Sequence, residues 1–99
     1  METIIRKENG TLHLQPVGRL DTVNSADLKA KLDAEGIDGF DIDFDFTNVD
    51  YISSAGLRLL VALQKQTAAC GKKLLIRNPG KVVREVFAVS GFNKAFTIV

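Results

Sequence analysis

Residues 40–71 constrain the fold more than any other part of the chain. Residues 40–46 alternate apolar and acidic side chains with a period of two, which predicts a strand with one buried face. From residue 57, apolar side chains recur at helical spacing as far as Gly71, a residue type that commonly ends a helix. Ser53 and Ser54 lie between the two elements, where a helix start exposes unpaired N–H groups and the positive end of its dipole. The sequence therefore predicts a pair of serines at a strand-to-helix junction, where the helix start favours the binding of an anion.

A hairpin is predicted at the N-terminus. Asn9-Gly10 separates two short β-prone runs, and Asn-Gly is the strongest two-residue hairpin signal. A two-residue turn there would place Ile5 opposite Leu14.

The rest of the chain predicts alternating helices and strands. A first helix is expected over residues 26–33, with its cap at Asn24 or Ser25 and with Leu28 and Leu32 on its buried side. The further expected elements are a strand at 72–77, a helix at 82–89 and a strand at 94–98. Strand–helix–strand units imply parallel pairing. We therefore expect an α/β fold in one domain spanning residues 1–99, with element order ββαβαβαβ and a mixed, mostly parallel sheet of about five strands.

Charge and composition exclude several classes of protein. Lys and Arg number 13 against 12 Asp and Glu, so no basic excess points to nucleic acid or an anionic membrane. Cys70 has no partner for a disulfide, and the charged first ten residues do not resemble a secretory signal. No apolar run approaches the roughly 20 residues that a membrane span needs. The prediction is a cytoplasmic protein without a membrane span or direct nucleic-acid binding.

Catalysis and metal binding are poorly supported by the residues. The nucleophile-elbow pattern G-x-S-x-G fails for Ser54 because Ile52 stands at its first position, and the only histidine, His13, lies in the middle of a predicted strand. The acidic residues of the strand at 40–46 alternate along one face about 6.5–7 Å apart, too far to converge on one ion. The sequence thus predicts no catalytic residue, no metal and no cofactor.

Three segments together resemble a known family. Residues 18–21 (GRLD), 46–58 (FTNVDYISSAGLR) and 83–92 (VREVFAVSGF) look like a STAS domain, and more narrowly like the stand-alone bacterial anti-sigma factor antagonists. The resemblance implies a protein without catalysis that switches partners and so regulates transcription indirectly. Its partners would be an anti-sigma factor that is also a serine kinase, bound by the unphosphorylated form, and a PP2C-type phosphatase that removes the phosphate.

The serine motif departs from the family pattern at one position. The family usually has Asp-Ser-Ser/Thr-Gly-Leu, with the phosphate on the hydroxyl residue before glycine, and Ala55 stands there in this chain. Ser54 is predicted to be the phosphoacceptor, with Ser53 as the second choice. The small Ala55 and Gly56 are expected to let another molecule approach the serine closely.

A partner-binding surface is expected around these serines. The resemblance carries Asp21 over as the acidic loop residue near the acceptor. The expected partner-binding residues are Asp21, Tyr51, Ser53, Ala55, Gly56 and Arg58.

Two other functions stay open. A constitutive STAS adaptor subunit of a transporter or another signalling complex would use the same surface without phosphorylation, and Ala55 favours this alternative. An enzyme using Ser54 is a third possibility, for which the sequence offers no general base.

Overall fold

The computed structural model describes residues 1–99, which form seven strands and three helices. In chain order these are β1 (Thr3–Glu8), β2 (Thr11–Pro16), β3 (Gly18–Leu20), α1 (Thr22–Glu35), β4 (Asp41–Asp45), β5 (Val49–Ile52), α2 (Ser54–Ala69), β6 (Leu74–Arg77), α3 (Lys81–Ser90) and β7 (Thr97–Ile98). Five strands form the main sheet in the order β1-β2-β4-β6-β7, and β3 and β5 form a separate pair. The expected α/β class, with a mostly parallel sheet of five strands, is confirmed.

The N-terminal hairpin forms as the Asn-Gly signal predicted. Asn9 and Gly10 both have positive φ angles, of 51° and 79°, as a tight hairpin turn requires. β1 and β2 pair antiparallel, and Ile5 lies opposite Leu14. The remaining contacts of the main sheet, β2 with β4, β4 with β6 and β6 with β7, are parallel.

The core lies against one face of the main sheet. Ile42 and Phe44 of β4 are buried, whereas the aspartates between them remain partly exposed on the opposite face. Aromatic rings continue the core from β4 towards the C-terminus. The ring centroid of Phe87 in α3 lies 6.3 Å from that of Phe46 and 5.7 Å from that of Phe96. None of the helices is both long and apolar enough to cross a membrane.

The element order predicted from sequence was incomplete, because it omitted β3 and β5. No element was predicted over Gly18–Leu20, and residues 50–52 lay between a predicted strand and a predicted helix. The structure pairs these two segments in parallel, with Leu20 opposite Ile52. At three and four residues they are too short to show an alternating pattern.

The predicted cap of α1 was also wrong. The helix begins at Thr22, and its cap is Asp21, whose Oδ1 accepts a hydrogen bond from the Asn24 amide at 2.9 Å. Asn24 is already inside the helix, and its side chain donates to the Arg19 carbonyl at 2.8 Å.

The last strand is shorter than the sequence predicted. Only Thr97–Ile98 is extended, because the chain turns after Gly91, where φ is 75°, and the Phe92 and Asn93 amides bond back to the Phe87 carbonyl.

Candidate functional site

The β3–β5 pair places the starts of two helices side by side. The last paired residues are Leu20 and Ile52, and each strand is followed at once by a helix cap, Asp21 for α1 and Ser53 for α2. The N-terminal ends of both helices therefore leave the same edge of this small parallel sheet. Asp21, predicted to lie near the acceptor, does follow the strand that pairs with the serine segment.

Ser53 is the cap of α2, and its hydroxyl both accepts and donates a hydrogen bond. Its Oγ accepts from the Gly56 amide at 3.3 Å and donates to the Leu20 carbonyl at 3.1 Å. The Ser53 amide donates to the same carbonyl at 2.9 Å. Ser53 is half-buried and joins the start of α2 to the end of β3.

Ser54 differs from Ser53 in exposure and position. It is the first residue of α2, and its side chain is exposed. The first helical hydrogen bond runs from the Leu57 amide to the Ser53 carbonyl, at 2.9 Å. The amides of Ser54 and Ala55 therefore have no helical acceptor, and they lie at the positive end of the α2 dipole. A phosphate on Ser54 would lie beside both amides.

Gly56 does not leave open space for a partner, and the reason given for it from the sequence is wrong. A Cβ atom built on Gly56 would lie 2.6 Å from Ile52 Cγ1 and 2.7 Å from the Leu20 carbonyl oxygen. The residue is buried and faces the interior. Glycine is needed there because α2 packs so closely on the end of β3. Ala55, which is half-buried, is the small residue on the outer side.

Tyr51 and Arg58 reach the surface near the serines. The Arg19 guanidinium lies 4.5 Å from the centre of the Tyr51 ring, an arrangement that holds the half-buried tyrosine in place. Arg58 is exposed one helical turn after Ser54.

Sequence reasoning missed an open groove beside Ser54. It has a volume of about 700 Å³ and runs between α2 and the end of α3, lined in part by Leu57, Val61 and Phe92. The groove has no local sequence signal, because its two sides lie far apart along the chain.

The acidic residues of β4 and His13 lie, together with Arg77 of β6, on the exposed face of the main sheet. Arg77 forms a two-pronged ion pair with Asp43, with Nε–Oδ1 and Nη2–Oδ2 distances of 3.1 and 3.0 Å, and this hydrogen bonding raises the pKa of Arg77. His13 Nδ1 is 3.6 Å from Asp43 Oδ2. Burial raises the pKa of Asp45, but hydrogen bonds from Thr47 and Gln15 lower it by a larger amount. The pKa of Asp45 is therefore below its usual value. No group of three or more His, Cys, Asp or Glu side chains is arranged to hold a metal ion.

Comparison with known proteins gives consistent results. Residues 4–99 match the family model described as "Mlab, STAS domain". The chain is 33% identical over 99 residues to BtrV of Bordetella bronchiseptica, which is classed as an anti-sigma factor antagonist, and this match covers 99% of the chain and 85% of BtrV.

Solved structures show the same fold. A Thermotoga maritima protein classed as an anti-sigma factor antagonist superposes on this chain with a TM-score of 0.85 at 18% identity. The match covers 97% of this chain and 84% of that protein. The anti-sigma factor antagonist SpoIIAA in its unphosphorylated form gives 0.82 at 21% identity, covering 99% and 88%. SpoIIAA, described as a Bacillus cell fate determinant, also has a structure in its phosphorylated form, which gives 0.73 at 19% identity and covers 99% and 91%.

Proposed function

The chain belongs to the STAS-domain family of anti-sigma factor antagonists, and from this premise we propose that it is a protein-interaction module switched by serine phosphorylation. In its unphosphorylated form it would bind an anti-sigma factor that is also a serine kinase, and so indirectly regulate transcription. A PP2C-type phosphatase would restore this form. Because such partners act on transcription, we propose that the protein works in the cytoplasm. We also propose, as the resemblance to this family implies, that it has no catalytic activity of its own.

Ser54 is our proposed phosphoacceptor. The observation that carries this assignment is its exposed hydroxyl at the first position of α2, beside two amides without helical acceptors. Ser53 is the weaker candidate, because phosphorylation of its Oγ would remove the proton that it donates to the Leu20 carbonyl and would place a negatively charged group beside that carbonyl oxygen. A kinase would therefore have to open the start of α2 to reach Ser53, but not to reach Ser54.

The proposed switch acts through charge and bulk. A phosphoserine carries about −1.5 to −2 charges at neutral pH, whereas the whole unmodified chain has a formal charge of +1. On Ser54 the phosphate would project from the surface formed by Asp21, Tyr51, Ala55 and Arg58, the predicted contact residues that are accessible around the helix start. A docked partner would be repelled without any refolding of the domain.

A constitutive adaptor is the second candidate, and one observation favours it. Ala55 occupies the position that carries the phosphate in the family motif. If the hydroxyl was lost there without being replaced by Ser54, the same surface would bind a fixed partner in a transporter or signalling complex.

Mass spectrometry of the protein from its native host distinguishes the two candidates. We expect one phosphate under at least one of two growth conditions, mapped to Ser54. The phosphate should disappear in Ser54→Ala and persist in Ser53→Ala and in the control Thr97→Ala, which removes an exposed hydroxyl on β7. Phosphate retained in Ser54→Ala would refute the acceptor assignment. An unmodified protein that co-purifies with the same partner under both conditions would establish the adaptor function instead.

A further inference from the structure

The groove beside Ser54 has an apolar floor that nothing in the structure covers. Leu57 and Val61 of α2 form one side of it, and Phe92 forms the other. Ser54 lies at one end of the groove, and Lys65 lines it eleven residues further along α2. At 1.5 Å per residue the groove follows about 16 Å of the helix, or three turns. This length fits a short helix better than a small molecule.

The wall opposite α2 is held in place by contacts from several directions. The Phe92 amide donates to the Phe87 carbonyl at 2.8 Å, and the Phe92 ring stacks on Phe96 with centroids 5.5 Å apart. Gln64 of α2 donates from Nε2 to the Ala95 carbonyl at 2.8 Å, which ties the segment after α3 to α2. The groove is therefore preformed, and little ordering would oppose binding.

The charges along the groove have one sign. Arg58 and Lys65 are exposed, line the groove, and take part in none of the seven ion pairs of the chain. No carboxylate lines the groove. The two cations are seven residues apart, which separates them by about 10 Å along α2. They match carboxylates that are two turns apart on a helix lying along the groove.

We propose that this groove binds an amphipathic helix of the protein partner, with acidic residues at positions i and i+7 and apolar residues between them. The inference rests on the proposed function and specifies the chemistry of its partner. The apolar residues would cover Leu57, Val61 and Phe92, and the carboxylates would pair with Arg58 and Lys65. Helix-in-groove binding of this kind is a common mode of peptide recognition.

Phosphorylation of Ser54 would act on the same groove. Arg58 lies four residues after Ser54 on α2, close enough for an ion pair with a phosphate on that serine. The phosphate would take up one of the two cations and add negative charge at the end of the groove. An acidic helix would then lose attraction at one end and meet repulsion there.

The test uses two synthetic peptides of about four helical turns. One carries glutamates at i and i+7 with leucines between them, and the other has lysines in place of the glutamates. We expect the glutamate peptide to shift the backbone amide signals of Leu57, Val61 and Phe92 in nuclear magnetic resonance spectra. In the double variant Arg58→Glu/Lys65→Glu its affinity should fall about tenfold, and the lysine peptide should now bind better. The control Lys72→Glu reverses an exposed lysine beyond the end of α2 and should leave both affinities unchanged.

Three results would overturn the inference. The first is that the two peptides bind the unmodified protein with equal affinity. The second is that the peptide shifts amide signals outside the groove. The third is that the groove signals shift with protein concentration while light scattering shows dimerisation, because a second copy of the chain would then occupy the groove.

Binding of the host's anti-sigma factor kinase separates this inference from the proposed function. If the charge-reversed variant binds the kinase with full affinity and phosphorylation still releases it, the groove inference fails and the proposed function stands. If no such kinase binds any form of the protein, the proposed function fails.

Discussion

Substitution of Gly56 by alanine tests whether the serine site depends on close packing of α2 against β3. The added Cβ would lie 2.7 Å from the Leu20 carbonyl oxygen and 2.6 Å from Ile52 Cγ1. Both distances are shorter than non-bonded contacts allow. One neighbour is backbone and the other is the first branch atom of a side chain that is 1% exposed. Neither can move aside unless a strand shifts or the buried Ile52 side chain repacks.

The magnitude follows from two opposing contributions. Overpacking of a core costs about 1–3 kcal/mol, and two simultaneous clashes with rigid groups belong in the upper half of that range. Alanine gains up to about 1 kcal/mol over glycine in helix propensity. We therefore expect the free energy of unfolding to fall by about 1–2 kcal/mol, which lowers Tm by about 5–15 °C for a domain of this size.

Urea unfolding followed by circular dichroism measures this change. The matched control is Gly80→Ala, because a Cβ on Gly80 meets no heavy atom within 4 Å and its φ is −74°. The free energy of unfolding of the control should fall by less than about 1 kcal/mol. At a helix cap, alanine costs about 1 kcal/mol relative to serine, and glycine already costs a few tenths of that. A Gly56→Ala variant as stable as the unmodified protein would refute the close approach of α2 to β3.

Two further predictions concern the serine pair and an acidic group on the open sheet face. Ser53→Ala should lower the free energy of unfolding by about 1 kcal/mol, the usual value of a serine cap, whereas Ser54→Ala should change it by less than about 0.5 kcal/mol because Ser54 is exposed and caps nothing; equal losses in urea unfolding would contradict the assignment of Ser53 as cap. The pKa of Asp45 is lower in the folded protein than the usual pKa of an aspartate, so its contribution to stability is present above the usual pKa and is lost as the pH falls through the lower folded pKa. Asp45→Asn should accordingly flatten the fall in the urea midpoint between about pH 5 and pH 2, and an unchanged pH dependence would show that the lowered pKa has no effect on stability.

The sequence predicted best where a local pattern determines the structure. The period-two alternation of residues 40–46 gave β4, and the Asn9-Gly10 turn gave the register of the hairpin. Helical spacing up to Gly71 gave α2. The serine motif directed attention to the residues that begin this helix.

The sequence could not predict features that arise only from tertiary contacts. β3 and β5 are each too short to show a pattern, and each is extended because it pairs with the other. Ser53 and Ser54 look alike in sequence, and their roles differ because α2 begins at Ser54 and because the Leu20 carbonyl is in reach of Ser53. The wall of the groove similarly depends on a hydrogen bond between Gln64 and Ala95, which are 31 residues apart.

The Leu20 carbonyl has a practical consequence for following the site in solution. It accepts hydrogen bonds from both the amide and the hydroxyl of Ser53, so the Ser53 amide proton can exchange with solvent only when β3 and the start of α2 separate. Its deuterium-exchange rate therefore reports the opening of this junction. The exchange rates of the neighbouring Ser54 and Ala55 amides, which have no helical acceptor, report instead whether a phosphate or a partner has covered the helix end.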